Sequence, residues 1–194
     1  MRFQDSTETT LIHGLQAGDQ QALGALYDRL APVANAVILR ILGNQADAEE
    51  ILEETFWHVW REARAYDPTR GTLAAWVITI ARSRALDRLR TQKRQTSNPA
   101  VYEEEARAAL LPEQPTPEDT TLQHERARVV ADALRVLPLE QRLPIELAYY
   151  EGLSQSQIAD RLQQPLGTVK TRVRLGFVRL REALQPYRGT THDA

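Results

Sequence analysis

The chain has no cysteine among its 194 residues, a single methionine and only three phenylalanines. Without thiols there can be no disulfide staple, no cysteine-bearing zinc site and no thiol nucleophile, and the absence fits a reducing compartment. Histidine is scarce too. His13, His58, His124 and His192 are scattered and form no H-E-x-x-H pair, so a metal-dependent hydrolase lacks its donor set. No metal, no cofactor and no catalytic residue are expected. No glycine-rich phosphate loop is present, and period-two alternation is nowhere sustained, which argues against strands. No apolar run approaches the ~18 residues that span a bilayer. Met1 to Thr10 carries Asp5 and Glu8 where a leader would need an apolar stretch. These absences predict a cytoplasmic protein with no membrane insertion.

What is present is 42% hydrophobic and 26% charged, the composition of folded soluble material. The net charge of −2 hides an uneven distribution. Asp47, Glu49, Glu50, Glu53 and Glu54 lie within eight residues that hold no base. From Arg161 to Arg188 there are seven bases (Arg161, Lys170, Arg172, Arg174, Arg179, Arg181 and Arg188) against one acid, Glu182. Such asymmetry points to two partner surfaces, one for phosphates and one for a basic protein groove.

Apolar residues recur at helical spacing in two stretches. In the first, Leu23, Leu26, Tyr27, Leu30, Val33, Val37, Ile38 and Ile41 form one stripe, with Pro32 expected to kink the helix and Gly43 to end it. Asp47 is read as the cap of the next helix, whose stripe is Ile51, Leu52, Thr55, Phe56, Val59, Trp60 and Ala63. Tyr66-Asp67-Pro68-Thr69-Arg70-Gly71 reads as a loop. A further helix runs from about Leu73 to Arg90, with Trp76, Val77, Ile80 and Ala81 on one side. The reading is all-α: two small helical domains over 1–91 and 127–188, a proline-rich acidic linker over 92–126 with a short helix near 101–111, and a tail over 189–194.

The second stretch has the layout of a helix-turn-helix. Leu137-Pro138 opens a helix that Gly152 closes. Ser154 and Gln157 form an S-x-x-Q capping box for a short helix holding Ile158, Ala159 and Leu162. Gln163-Gln164-Pro165 turns into a basic helix. There Lys170, Thr171 and Arg174 share an exposed side suited to base edges, while Val169, Val173, Phe177 and Leu180 are expected to face inward. Arg172 and Arg179 suit flanking phosphates, as do Ser154 and the free N–H groups near Gly167 and Thr168.

Leu153-Ser154-Gln155-Ser156-Gln157-Ile158-Ala159 and Pro165-Leu166-Gly167-Thr168-Val169-Lys170-Thr171-Arg172 resemble region 4 of the extracytoplasmic-function sigma factors, which binds the −35 promoter element. Asp47-Ala48-Glu49-Glu50-Ile51-Leu52-Glu53-Glu54-Thr55-Phe56 is similar to the same family's polymerase-binding segment, and the run from Trp76 to Arg90 to its −10-reading helix. The resemblance implies a transcription initiation factor that is not itself an enzyme. It implies that Asp47, Glu49, Glu50, Glu53 and Glu54 dock on a coiled coil of the largest subunit of core RNA polymerase. It also implies that Asp67, Arg70 and Thr72 belong to a loop capturing a flipped −10 base, beside Arg82, Ser83, Arg84, Asp87, Arg88 and Arg90 on the displaced strand. Promoter DNA and an anti-sigma protein would be the other partners. Two competing readings lack support. A stand-alone DNA-binding regulator needs a dimerisation surface, and no spare helix offers one; an enzyme needs a constellation that the scattered histidines do not make.

Overall fold

The computed structural model describes residues 2–95 and 132–186. Every regular element among them is helical, and they gather into two compact units, one on each side of the segment 96–131. The expected linker helix near 101–111 and the tail 189–194 lie outside the described residues.

The first unit is built from α1 (Arg2–Ala17), α2 (Gln20–Leu42), α3 (Gln45–Arg61) and α4 (Leu73–Gln95), with 3₁₀ turns at Ala63–Ala65 and Pro68–Arg70. Helix α1 is a finding beyond the sequence reading, which starts its helices at Leu23. Gly18 takes the left-handed conformation (φ 77°) between α1 and α2. Asp19 then caps α2 by accepting the Gln21 N–H at 2.9 Å. The two helices lie so close that a Cβ on Gly14 would sit 2.6 Å from Ala22 Cβ.

Helix α2 is the centre of this unit. By length and composition it could cross a membrane. Asp28, Arg29 and Arg40 interrupt its apolar run, however, and Leu26, Leu30, Ala34, Ile38 and Ile41 are buried against α1, α3 and α4. Each fully buried aliphatic side chain here contributes roughly 1.5–3 kcal/mol. Pro32 is exposed and sits within the unbroken span of α2. Gly43 closes the helix at φ 67°, donating its N–H to Leu39 O at 2.8 Å.

The cap of α3 corrects the sequence reading. Asn44, not Asp47, accepts the free donor, taking the Asp47 N–H at 3.0 Å. Asp47 is thereby left to face α4. The predicted core stripe of α3 holds, with Ile51, Leu52, Thr55, Phe56 and Val59 buried. The buried Thr55 hydroxyl donates to Ile51 O at 2.7 Å, which satisfies it inside the core.

The second unit comprises a helical segment over 132–136 followed by α5 (Leu139–Tyr150), α6 (Gln155–Arg161) and α7 (Leu166–Ala183). Leu147, Ile158, Ala159 and Val169 form its core, flanked by Leu143, Leu153, Leu162 and Val173. Gly152 is left-handed (φ 65°) between α5 and α6, as the sequence requires.

One register differs from expectation. Phe177 is 57% exposed, and the buried position beside it is Gly176. A Cβ on Gly176 would meet Ile145 Cδ1 at 2.6 Å and Gln141 O at 3.3 Å. The approach of α7 to α5 leaves no room for a side chain there, so the inward stripe runs Val169, Val173, Gly176, Leu180 and Phe177 turns outward.

Candidate nucleic-acid interface

In the second unit the predicted capping box is complete. Ser154 Oγ accepts the Gln157 N–H at 3.3 Å, and Gln157 Oε1 accepts the Ser154 N–H at 2.8 Å. The turn after α6 passes through Gln163 at φ 51°, with its side-chain amide donating to Asp160 O at 2.7 Å. The turn fixes where α7 starts. Thr168 and Val169 donate to Pro165 O at 2.9 and 3.2 Å, so the Thr168 amide is occupied. The N–H groups of Leu166 and Gly167, in the first turn, have no intrahelical acceptor. Gly167 is open to solvent with nothing near its Cα face.

Four of the five bases of α7 fall into two sets. Lys170 and Arg174 are exposed, with no hydrogen bond or ion pair to another described residue. Thr171 lies beside them and donates its hydroxyl to Gly167 O at 2.9 Å, keeping oxygen lone pairs for an incoming donor. Arg172 and Arg179 point the other way. The Arg172 guanidinium reaches Glu140 at 3.2 Å and is hydrogen-bonded to Gln164 Oε1. Arg179 donates to Gln141 Oε1 at 2.8 Å. Both arginines tie α7 to α5 and to the turn ahead of it. Arg172 and Arg179, expected at flanking phosphates, thus each have a partner within the unit, and Arg179 stays exposed.

In the first unit, α3 and α4 flank an open cleft of about 520 Å³ lined by Glu54, His58, Ser83, Arg84, Asp87 and Arg88 among others. Acids from α3 and bases from α4 meet along one edge. Arg84 pairs with Glu54 at 2.9 Å; Arg88 pairs with Asp47 at 3.0 Å and Glu50 at 2.7 Å. Gln92 adds a hydrogen bond to Asp47 at 3.0 Å. The hydrogen bond and charge of Arg88 hold the Glu50 carboxyl below the usual carboxylate range, and Glu50 in turn raises Arg88. Two groups read as separate partner surfaces are therefore partners of each other. Arg90 pairs with Asp87 at 2.8 Å one turn away, and Ser83 is exposed on the cleft wall. Arg82 is half-buried.

The connector between α3 and α4 is tightly organised. Asp67 Oδ1 accepts both the amide and the hydroxyl of Thr69, at 2.9 and 2.7 Å, and these bonds hold its carboxyl below the ordinary range. Tyr66 donates its hydroxyl to Gly71 O at 2.9 Å, closing the loop, and its ring packs on Trp76 at 5.5 Å between centroids. Thr72 caps α4 by accepting the Ala75 N–H at 3.2 Å. Arg70 projects from the loop into solvent. Trp76 is half-buried beneath Tyr66, a packing role rather than an open stacking platform.

Of the five acids of α3, two stay clear of α4. Glu49 accepts only from Gln45 in its own helix, at 2.7 Å, and Glu53 is exposed. Beside them stands Trp57, 62% exposed, which the sequence reading passed over. Its signal was legible: Trp57 follows Glu53 by four residues and falls outside the inward stripe of α3, so a large aromatic had to face solvent.

Residues 26–95 match the family model "Sigma-70 region 2", and residues 127–180 match "Sigma-70, region 4". The chain is 36% identical over 174 residues to the ECF RNA polymerase sigma factor SigK of Mycolicibacterium vanbaalenii, covering 90% of this chain and 87% of that one. It is 31% identical to the protein of the same name from Mycobacterium tuberculosis, covering 90% and 91%. Among solved structures, SigE of Rhodobacter sphaeroides in complex with the anti-sigma ChrR is 28% identical, with a TM-score of 0.45 and coverage of 90% and 95%. CnrH in complex with the cytosolic domain of CnrY is 24% identical, with a TM-score of 0.43 and coverage of 93% and 98%. By the two family models and the SigK relatives, which cover 90% of it, the chain belongs to the ECF sigma factors of the sigma-70 family, transcription initiation factors that bring core RNA polymerase to promoters.

Proposed function

We propose that this sigma factor reads the −35 element as duplex DNA through Lys170, Thr171 and Arg174 on the exposed side of α7, with Ser154 and the N-terminal turn of α7 on neighbouring phosphates. The observation that carries this reading is the split among the α7 bases: Lys170 and Arg174 are exposed and unengaged, while Arg172 and Arg179 are held by α5 and its turn. A recognition helix needs its base-reading donors free and its orientation fixed, and the split supplies both. The connector loop, with Asp67, Arg70 and Thr72, takes the −10 base flipped out of the melted strand, and the α4 face bearing Arg82, Ser83, Arg84, Asp87, Arg88 and Arg90 guides that strand. Flipping costs a few kcal/mol of stacking, which a preformed loop offsets best. Docking on core polymerase runs through the outer face of α3, where Glu49, Glu53 and Trp57 combine charge with an exposed aromatic. Domains over 1–91 and 127–188, a cytoplasmic location and control by an anti-sigma protein complete the reading.

The test is run-off transcription from genomic fragments, with core RNA polymerase in the presence and absence of this protein. Discrete start sites that depend on the protein, with shared sequences upstream at −10 and −35, are the expected result. A protein that binds duplex DNA but leaves core polymerase non-specific would overturn it.

A further inference from the structure

Helix α1 lies ahead of the matched region 2, which begins at residue 26, and no role in promoter binding follows for it from that match. Its contacts are unusually placed. Two of its side chains reach across the fold to opposite ends of the connector between α3 and α4. Gln16 Nε2 donates to Ala63 O at 3.2 Å, where the chain leaves α3. Glu8 Oε2 accepts the Leu73 N–H at 3.2 Å, where α4 begins. Leu73 is the first residue of α4, so its N–H is one of the donors that the helix itself cannot satisfy, and a carboxylate there also faces the positive end of the helix dipole. The other Glu8 oxygen lies 3.7 Å from Arg29 of α2, which helps aim the carboxylate. Between these two anchor points runs the loop closed by Tyr66 on Gly71.

We propose that α1 is the frame of the −10 base-capture loop, with Glu8 and Gln16 as positioning residues that fix its two ends. The proposal rests on the reading of residues 67–72 as that loop, and adds the device that holds it. A loop tethered at one end only samples many shapes, and each must be narrowed before it grips a base; tethering both ends to one rigid helix removes that cost in advance.

The experiment uses holoenzyme reconstituted from core polymerase and the full chain: wild type, Glu8→Ala with Gln16→Ala, and Glu8→Gln. Each is tested on the protein's own promoter and on variants changed at single −10 positions, with thermal unfolding followed in parallel. The Gln side chain still presents an oxygen to the Leu73 N–H, so Glu8→Gln is expected to keep most of the wild-type discrimination. The double alanine variant is expected to lose about five- to tenfold of the preference for the cognate −10 base, the scale of one ordinary intramolecular hydrogen bond. Its affinity for core polymerase and for −35 duplex should stay unchanged. Undiminished −10 preference in a folded double variant sinks the proposal, as does a loss that is equal on every promoter. If the wild type itself shows no preference at any −10 position, the loop reading fails first and the proposal falls with it. Should the double variant unfold, Glu8→Ala alone is scored by the same two criteria.

Discussion

Lys170 and Arg172 sit two residues apart on one helix and have opposite surroundings. Lys170 is exposed and has no partner among the described residues; the Arg172 guanidinium is shared between Glu140 and Gln164. Their alanine variants should therefore separate. Lys170→Ala is expected to weaken −35 binding mainly on the promoter carrying its cognate base, by about 1–3 kcal/mol, because a base contact is sequence-selective. An equal loss on every duplex, measured by fluorescence anisotropy, would make Lys170 a phosphate contact. Arg172→Ala should instead show up in thermal unfolding, by about 0.5–1 kcal/mol, since Glu140 is largely exposed and its pairing is partly screened. The sequence could show that both residues were basic and near the right turn. It could not show which was spoken for, because Glu140 lies 32 positions away and only the folded packing of α5 on α7 brings it within reach.

At the scale of elements, helix periodicity was legible wherever one face was apolar, and the capping signals at Ser154, Gly43 and Gly152 were borne out by geometry. What escaped was of one kind: features defined by the partner across the interface. Helix α1 has few large apolar residues, and its value lies in contacts to Ala63 and Leu73, far along the chain. The ion pairs between α3 and α4 look in sequence like two separate charge runs. Gly176 reads as an unremarkable position in a basic helix, yet a Cβ there would meet Ile145 and the Gln141 carbonyl of α5. Replacing it tests that packing directly. Gly176→Val should lower the thermal stability of the second unit by about 1–3 kcal/mol, the usual range for overpacking, with the gain in helix propensity too small to offset it. The accompanying loss of −35 binding should be the same for cognate and non-cognate duplexes. A variant with unchanged melting but altered sequence preference would return Gly176 to the DNA-reading surface.

Across the whole molecule, the net charge of −2 is a sum over surfaces with opposite tasks. On the proposed reading, the bases open to solvent on α7 face one class of partner, the polyanionic duplex. The acids of α3 divide further: Asp47, Glu50 and Glu54 hold α4 through Arg84 and Arg88, which leaves Glu49 and Glu53 beside Trp57 for a partner of opposite charge. An exposed tryptophan one turn from an exposed carboxylate has the character of an interface anchor, with the ring supplying most of the affinity and the acids setting approach and register. Trp57→Ala is therefore expected to weaken binding to core polymerase by about 2 kcal/mol or more, roughly thirtyfold. Glu53→Lys should act mainly on the association rate and on its salt dependence. Neither change touches the core of the first unit or any residue of the second, so unfolding and binding to −35 duplex should stay as in the wild type. Surface-plasmon measurements of each variant against immobilised core polymerase decide the matter. If both bind as the wild type does, the docking face lies elsewhere, and the cleft edge where α3 meets Arg84 and Arg88 becomes the surface to test.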